Sequence, residues 1–223
     1  MKNILIIIII ALLFLNANLF SQTQNSRFKI ARLKYSGGGD WYNDPSAEVN
    51  MMNYLKKNTS VDVDEPKFYT ADVASEELFN YPFIFLTGHG NIEFSENEVK
   101  RLRKYLEGGG FIYADDDYGM DESFRREIKK LFPNEELKEL PFNHKIYNIH
   151  YNFQNGLPKI HEHDSKPPRG FGIWYQGRLC IYYTYETNIS DGWADPREHD
   201  DPQEKRDESF RMGTNIIVYV LSN

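Results

Sequence analysis

Three short polar segments of this chain carry residue types that could do chemistry: Gly37-Gly38-Gly39-Asp40-Trp41-Tyr42, Gly88-His89-Gly90-Asn91 and Asp115-Asp116-Asp117-Tyr118-Gly119. Between them they offer backbone donors, an imidazole and a run of carboxylates. Imidazole and carboxylate are the groups that general acid–base catalysis uses most. The aspartate run could ligate Mg²⁺ or Ca²⁺, which prefer carboxylate oxygens; equally, one Asp could cap the following helix while the others stay solvated. The glycines meet neither the G-x-G-x-x-G nor the G-K-[ST] phosphate fingerprint. A flexible turn before a helix is the simpler reading of Gly37–Gly39. His89, between two glycines, is expected exposed on a tight turn.

Other segments invite chemistry less strongly. His161-Glu162-His163-Asp164 lies among Pro158, Pro167 and Pro168, so it reads as a solvated loop and not as the helix that H-E-x-x-H requires. The acidic stretch around Asp195, Glu198, His199, Asp200 and Asp201 reads as mobile surface. Lys100, Arg101, Arg103 and Lys104 form a basic helix face, by default solvated. Trp174, Tyr175, Tyr182, Tyr183 and Tyr185 could stack on sugar rings or fill a hairpin core.

Composition bounds these options. With 223 residues, 40% apolar and 26% charged, the chain can bury a core and is neither disordered nor disulfide-stapled. Its net charge of -7 argues against nucleic acid as a partner. The single cysteine, Cys180, excludes an internal disulfide and any multi-cysteine zinc site. The start, Met1-Lys2-Asn3, precedes an apolar run from Ile4 to Leu15 that is only 12 residues long. That is short of the roughly 20 needed to span a bilayer, so residues 1–21 read as a cleavable export signal, cut after Ser21 or after Ala17. The expected location is periplasmic or secreted, with membrane contact only through this segment if it stays uncleaved. Residues 22–223 are expected to form a single domain.

The elements that must position the polar segments follow from patterning. Phe28–Tyr35 alternates and reads as a strand. Pro45-Ser46 opens a helix to about Lys57, and a short strand lies near Lys67-Phe68-Tyr69. Pro82–Thr87 is an apolar run of the kind a central parallel strand shows. Ser95 and Glu98 form a capping box; the helix buries Val99, Leu102 and Leu106 and stops at Gly108-Gly109-Gly110. A strand, Phe111–Ala114, and a helix, Asp121–Phe132, follow. Leu137–Pro141 could be a short strand. Phe171–Tyr175 and Arg178–Thr184, joined by Gln176-Gly177, read as a β-hairpin. Asp191–Glu208 reads as a long polar loop. Ile216–Leu221 suits a strand by propensity, while the spacing of Phe210, Ile217, Val220 and Leu221 also permits a closing helix with Gly213 at a close packing contact.

Several of these segments are familiar together: Gly88-His89-Gly90, Phe94-Ser95-x-x-Glu98, Leu102-x-x-Tyr105-Leu106, Gly108-Gly109-Gly110 and Asp115-Asp116. With Phe28-x-x-Ala31-Arg32-Leu33-x-Tyr35, Trp41, Leu140-Pro141-x-x-His144 and Gly213-x-Asn215-x-x-x-Tyr219, they resemble the bacterial domain of unknown function 4159 family over most of residues 27–222. The resemblance implies a class I glutamine-amidotransferase-like, three-layer flavodoxin-like open parallel sheet with helices on both faces. It also favours a helix for the last segment. Class I amidotransferases place a nucleophilic cysteine on the turn after the central strand, where this chain has Gly88-His89-Gly90. A non-catalytic exported domain is therefore expected, with no cofactor and with an unknown small ligand or envelope protein as partner. Gly38, Asp40, Trp41, His89, Asn91, Asp115, Asp116 and His144 are its expected contacts. The alternative is a metal-assisted or acid–base hydrolase working through His89, Asp115–Asp117 and His144.

Overall fold

The computed structural model describes residues 27–223; the expected export signal lies outside them. The chain forms a mixed α/β fold around one seven-stranded sheet. In chain order the elements are β1 (Ala31–Lys34), α1 (Ser46–Asn58), β2 (Tyr69–Asp72), β3 (Phe83–Leu86), α2 (Glu96–Glu107), β4 (Phe111–Asp115), α3 (Asp121–Leu131), β5 (Lys138–Glu139), β6 (Arg169–Tyr175), β7 (Arg178–Tyr185), α4 (Pro196–His199) and α5 (Gln203–Leu221). The strand order is β2-β1-β3-β4-β7-β6-β5. Strands β2, β1, β3, β4 and β7 are mutually parallel, and β6 and β5 add antiparallel strands at one edge. The β6–β7 hairpin turns on Gln176 (φ 49°) and Gly177 (φ 82°), the two positive φ values that a tight, strand-matched turn requires.

Strand β3 is apolar throughout, and β4 up to its last residue, because both their faces are covered. Along β3, Phe83 and Phe85 join a buried cluster with Met51, Met52 and Leu55 of α1 and Phe210, Ile216 and Ile217 of α5. Ile84 and Leu86 point the other way, into a cluster with Leu102 and Leu106 of α2 and Phe124 and Ile128 of α3. The predicted capping box of α2 is present: Ser95 Oγ accepts from Glu98 N at 3.3 Å, and Glu98 Oε2 accepts from Ser95 N at 2.8 Å. Among the described residues no helix is long and apolar enough to cross a membrane.

One expectation needs correction and one is borne out. Asp191–Glu208 is not a long loop. It contains a 3-10 turn at Asp191–Trp193, then α4 with its own Asp195/Glu198 capping box and Pro196 in its first turn, then the start of α5. Polar composition hid these elements, since a short helix capped by acids looks like an acidic tract. The helix that the family resemblance favoured for Ile216–Leu221, against its strand propensity, is present and closes α5. Helical spacing lays Phe210, Gly213, Ile216 and Ile217 against the sheet. A Cβ on Gly213 would stand 2.5 Å from the Trp193 ring, so this close approach needs glycine.

One buried ion pair fixes the start of the sheet to the first helix. Arg32 and Glu48 both have fully buried side chains. Arg32 Nε donates to Glu48 Oε1 at 2.5 Å and Nη2 donates to Oε2 at 2.9 Å. The remaining guanidinium nitrogen donates to the carbonyls of Trp41 (2.8 Å) and Asn43 (3.0 Å), so the fork also holds the loop between β1 and α1. Removing one partner of a buried pair leaves an uncompensated charge and costs about 3–5 kcal/mol, whereas an apolar pair of like volume can be near neutral. Glu48→Gln should therefore lose about 3–5 kcal/mol in urea unfolding, and Arg32→Met/Glu48→Leu should recover most of it. The double variant should nonetheless show faster amide exchange across 40–44, because the loop has lost its anchor.

Candidate functional site

Strands β1, β3, β4 and β7 run parallel, so the loops that leave them emerge along one edge of the sheet. The first three are the predicted polar segments, and they meet. Gly39 N donates to Asn91 O (3.0 Å) and Asp40 N to His89 O (3.3 Å). His89 forms an isolated parallel bridge with Tyr118. The fourth loop, 186–195 after β7, was not expected there. Because β7 lies beside β4, this loop carries Asn188 and Asp191 to the same rim. Ile160 N donates to Thr187 O at 2.8 Å, which draws the 158–164 segment across the opening.

Asp115 fastens the fourth loop. Its carboxylate is fully buried and accepts from Thr184 Oγ1 (2.5 Å), Thr187 Oγ1 (3.1 Å), Ser190 N (2.7 Å) and Ser190 Oγ (2.8 Å). Burial raises its pKa to about 6 against the pull of those donors. Asp115 is thus a structural clamp and not a ligand contact. Asp116 is also buried. It lines a separate depression of about 350 Å³ with Lys166 and Tyr185, and burial followed by the nearby Asp121 charge raises it to about 7. Only Asp117 of the three faces the pocket that the four loops enclose.

That pocket, about 540 Å³, is lined by His89, Asp117, Tyr118, His161, Glu162, His163, Asn188, Asp191 and His199. His89 Nδ1 lies 3.0 Å from Asp40 Oδ2 and 3.4 Å from Asp117 Oδ2. Asn43 Nδ2 donates to the same Asp117 oxygen. Asn188 Nδ2 donates to Asp117 Oδ1 (3.1 Å) and to Asp191 Oδ2 (2.9 Å), so one amide serves two buried carboxylates. His161 Nδ1 sits 2.7 Å from Asp191 Oδ2 and its Nε2 2.9 Å from Asp201 Oδ1. His199 Nε2 sits 3.0 Å from Asp44 Oδ2 and its Nδ1 4.0 Å from Asp191 Oδ2.

Charge is unevenly distributed across these groups. Burial, then the Asp191 and Asp115 charges, push Asp117 well above the usual carboxylate range. For Asp191 burial acts in the same sense, but hydrogen bonds from His161 and Asn188 outweigh it and hold this acid below its ordinary value. Asp191 raises His161 in turn, and Asp44 raises His199 to about 9. Four of the non-glycine residues with left-handed backbone, Asp44, Glu186, Asn188 and Asp200, flank this pocket. Such conformations persist only where their surroundings enforce them, and they concentrate at functional sites.

The structure sorts the predicted contacts. Asp40, His89 and Asn91 stand on the rim, Asn91 bonding Gly37 O (3.1 Å) and Arg126 (3.0 Å). Gly38 is an exposed turn with φ +95°. Trp41 packs its ring on the core and lends only its carbonyl, to Arg32. His144 is not at the rim. It stacks near Trp174 and Tyr219, and Trp174 pairs with Leu179 at the start of β7, so His144 lies toward the opposite edge. His144 therefore does not join His89 and Asp115–Asp117 in one cluster, as the hydrolase expectation required. His161 is likewise no solvated-loop residue, and His199 and Asp201 are not mobile surface, since both bond buried or half-buried partners. The signal for this missed half was the buried run Cys180–Tyr183 ahead of Asn188 and Asp191. It repeats the β4-then-aspartate pattern and marks β7 as a further parallel strand.

Fold and rim together define a mixed α/β domain with an acidic, histidine-bearing pocket at the carboxyl ends of its parallel strands. The chain belongs to the family described as Domain of unknown function (DUF4159), whose profile matches residues 29–221. No curated protein matches it.

Two outcomes test this geometry. Asp115→Asn should cost about 1–3 kcal/mol, the usual cost of stranding buried donors, with amide exchange rising selectively at 186–191. His199 titrates above its ordinary 6.5 because Asp44 favours its charged form. This ion pair therefore stabilises the fold fully below about pH 6.5 and is lost as pH rises through about 9. In chelator-treated protein, Asp44→Asn should move the His199 NMR titration back toward 6.5.

Proposed function

We propose that the chain is an exported, class I glutamine-amidotransferase-like domain that has no glutaminase chemistry and binds a small polar ligand in the rim pocket. The observation that carries this is the pocket of about 540 Å³ at a rim that holds imidazoles and carboxylates but no thiol. The parallel strands follow the order β2-β1-β3-β4-β7, which supports a doubly wound sheet of the flavodoxin-like kind with helices on both faces. In such sheets ligands sit where the strand order reverses, here between β1 and β3, where Asp40 and His89 pair. The turn after β3 carries His89 at the position where a class I amidotransferase has its cysteine. Cys180 is buried inside β7, and burial pushes its thiol up to about 11, the reverse of an activated nucleophile. Export rests on the apolar start of the chain.

A second reading, acid–base hydrolysis at the same rim, is favoured by one observation. Asp117 and Asp191 share a single amide donor, yet their surroundings push them in opposite directions. Neighbouring carboxyl groups driven apart in this way are suited to serve as acid and base. In this reading Asp117 is the acid, Asp191 the base and His89 a substrate contact.

A glutaminase assay should release no ammonia above the blank, and Cys180 should resist iodoacetamide at pH 8 until urea is added. Ammonia release that Cys180→Ala abolishes would overturn the proposal. A thermal-shift panel of amino acids, sugars and phosphorylated metabolites should raise the melting temperature for one class in wild type and not in His89→Ala.

A further inference from the structure

Two of the pocket's histidines, His161 and His199, converge on one aspartate, Asp191. We infer that the pocket binds one divalent first-row transition-metal ion through His161, His199 and Asp191, with Asp117 the adjoining carboxylate. This inference rests on the pocket being the working site.

The geometry comes first. His161, Asp191 and His199 each offer one ligand atom, and these lie within 4.8 Å of one another; Asp44, Asp117 and Asp191 form a second such group. Nitrogen and oxygen ligands bind such ions at about 2.0–2.2 Å, so two ligands on one ion stand at most about 4.4 Å apart. Small side-chain rotations close that gap.

The tautomers suit metal binding as well. Both Nδ1 atoms face Asp191, at 2.7 Å from His161 and 4.0 Å from His199. Both Nε2 atoms face a different carboxylate, Asp201 for His161 (2.9 Å) and Asp44 for His199 (3.0 Å). A metal-bound imidazole characteristically donates its other N–H to a carboxylate, which fixes ring and tautomer. An ion binding here replaces the proton on each Nδ1 and releases it to solvent, while the Nε2–H bonds to Asp201 and Asp44 stay in place.

Polar satisfaction supplies independent support. Among the described residues, three buried side-chain polar atoms have no hydrogen-bond partner: His163 Nε2, Asn188 Oδ1 and Asp201 Oδ2. Two are on residues of this pocket and the third is on the aspartate behind His161. Asn188 and His163 line the pocket, Asn188 being 3% exposed, and Asp201 backs His161 with a side chain 4% exposed. Buried polar groups are nearly always paired, and a cluster of exceptions calls for a missing partner such as an ion or water. Charge points the same way: Asp44, Asp117, Asp191 and Asp201 gather around two imidazoles, and a cation between them relieves their repulsion. The imidazole-containing donor set selects Zn²⁺, Co²⁺ or Ni²⁺ over Mg²⁺ and Ca²⁺, which favour oxygen alone. Three protein ligands beside an open pocket also leave a coordination position for a ligand or water.

Tag-free, chelator-treated full chain titrated with Zn²⁺, Co²⁺ and Mg²⁺ tests this by calorimetry and native mass spectrometry. The expected result is one Zn²⁺ per chain, proton release that varies with buffer, a Co²⁺ visible spectrum and at least 100-fold weaker Mg²⁺ binding. His161→Ala/His199→Ala should lose at least 100-fold in Zn²⁺ affinity, and Asp201→Asn about 10-fold or more, while His144→Ala should bind as wild type. Circular dichroism and melting of the metal-free variants separate a lost ligand from a lost fold. No stoichiometric Zn²⁺ in wild type, Mg²⁺ bound as tightly as Zn²⁺, or unchanged affinity in a folded double-histidine variant would overturn the inference. The glutaminase and ligand-panel measurements, run on chelator-treated protein, stand or fall separately.

Discussion

Asp115 is the constraint on which the rim depends. A carboxylate with no exposed surface is expensive to bury, and it is tolerable only when donors surround it. Here all its donors come from one stretch of chain, the end of β7 and the loop behind it. The requirement to satisfy one buried acid therefore fixes the path of a loop that would otherwise be free. That path forces Asn188 into a left-handed backbone and sets its amide between Asp117 and Asp191. The pocket is thus a consequence of solvation bookkeeping at a neighbouring residue.

The opposite wall is held by the same kind of argument with the sign reversed. Arg32 is a buried cation, neutralised by Glu48 and completed by carbonyls of the loop that carries Asp40, Asn43 and Asp44. Two buried ionic centres, one anionic and one cationic, thus pin two loops that approach each other from β7 and from β1. Between the pins the polar groups are less well paired: one amide serves two acids, and three polar atoms have no partner. Well-satisfied networks at the margins and an under-satisfied centre are what a preorganised binding site requires.

Much of this was legible in the sequence. Apolar runs bounded by proline and glycine marked β3 and β4, and the Ser95/Glu98 pair marked the start of α2. Three polar loops were expected at one edge, and they meet there. The rest escaped for physical reasons. Asp195 and Glu198 act as a helix cap, yet in a linear reading they are indistinguishable from a solvated acidic tract. The Ile216–Val220 run has the β-branched composition of a strand, and it was the family pattern, not local propensity, that gave its helix; the close approach of Gly213 to Trp193 and Met51 seats that helix. His161 and His199 are 38 positions apart, and nothing local indicates that both turn toward Asp191. His144 misled because an imidazole near a motif carries no information about which end of the sheet it occupies.

The turn after β3 shows how the fold and its chemistry separate. A thiolate there would need nearby positive charge or helix donors to lower its pKa. This rim instead gathers Asp40, Asp44, Asp117, Asp191 and Asp201, surroundings that would raise a thiol's pKa and suppress its nucleophilicity. An imidazole fits the same surroundings: His89 Nδ1 lies 3.0 Å from Asp40 Oδ2 and 3.4 Å from Asp117 Oδ2, contacts that orient its ring. An edge this acidic suits groups that accept a cation or a proton, and the chain places histidines, not sulfur, along it.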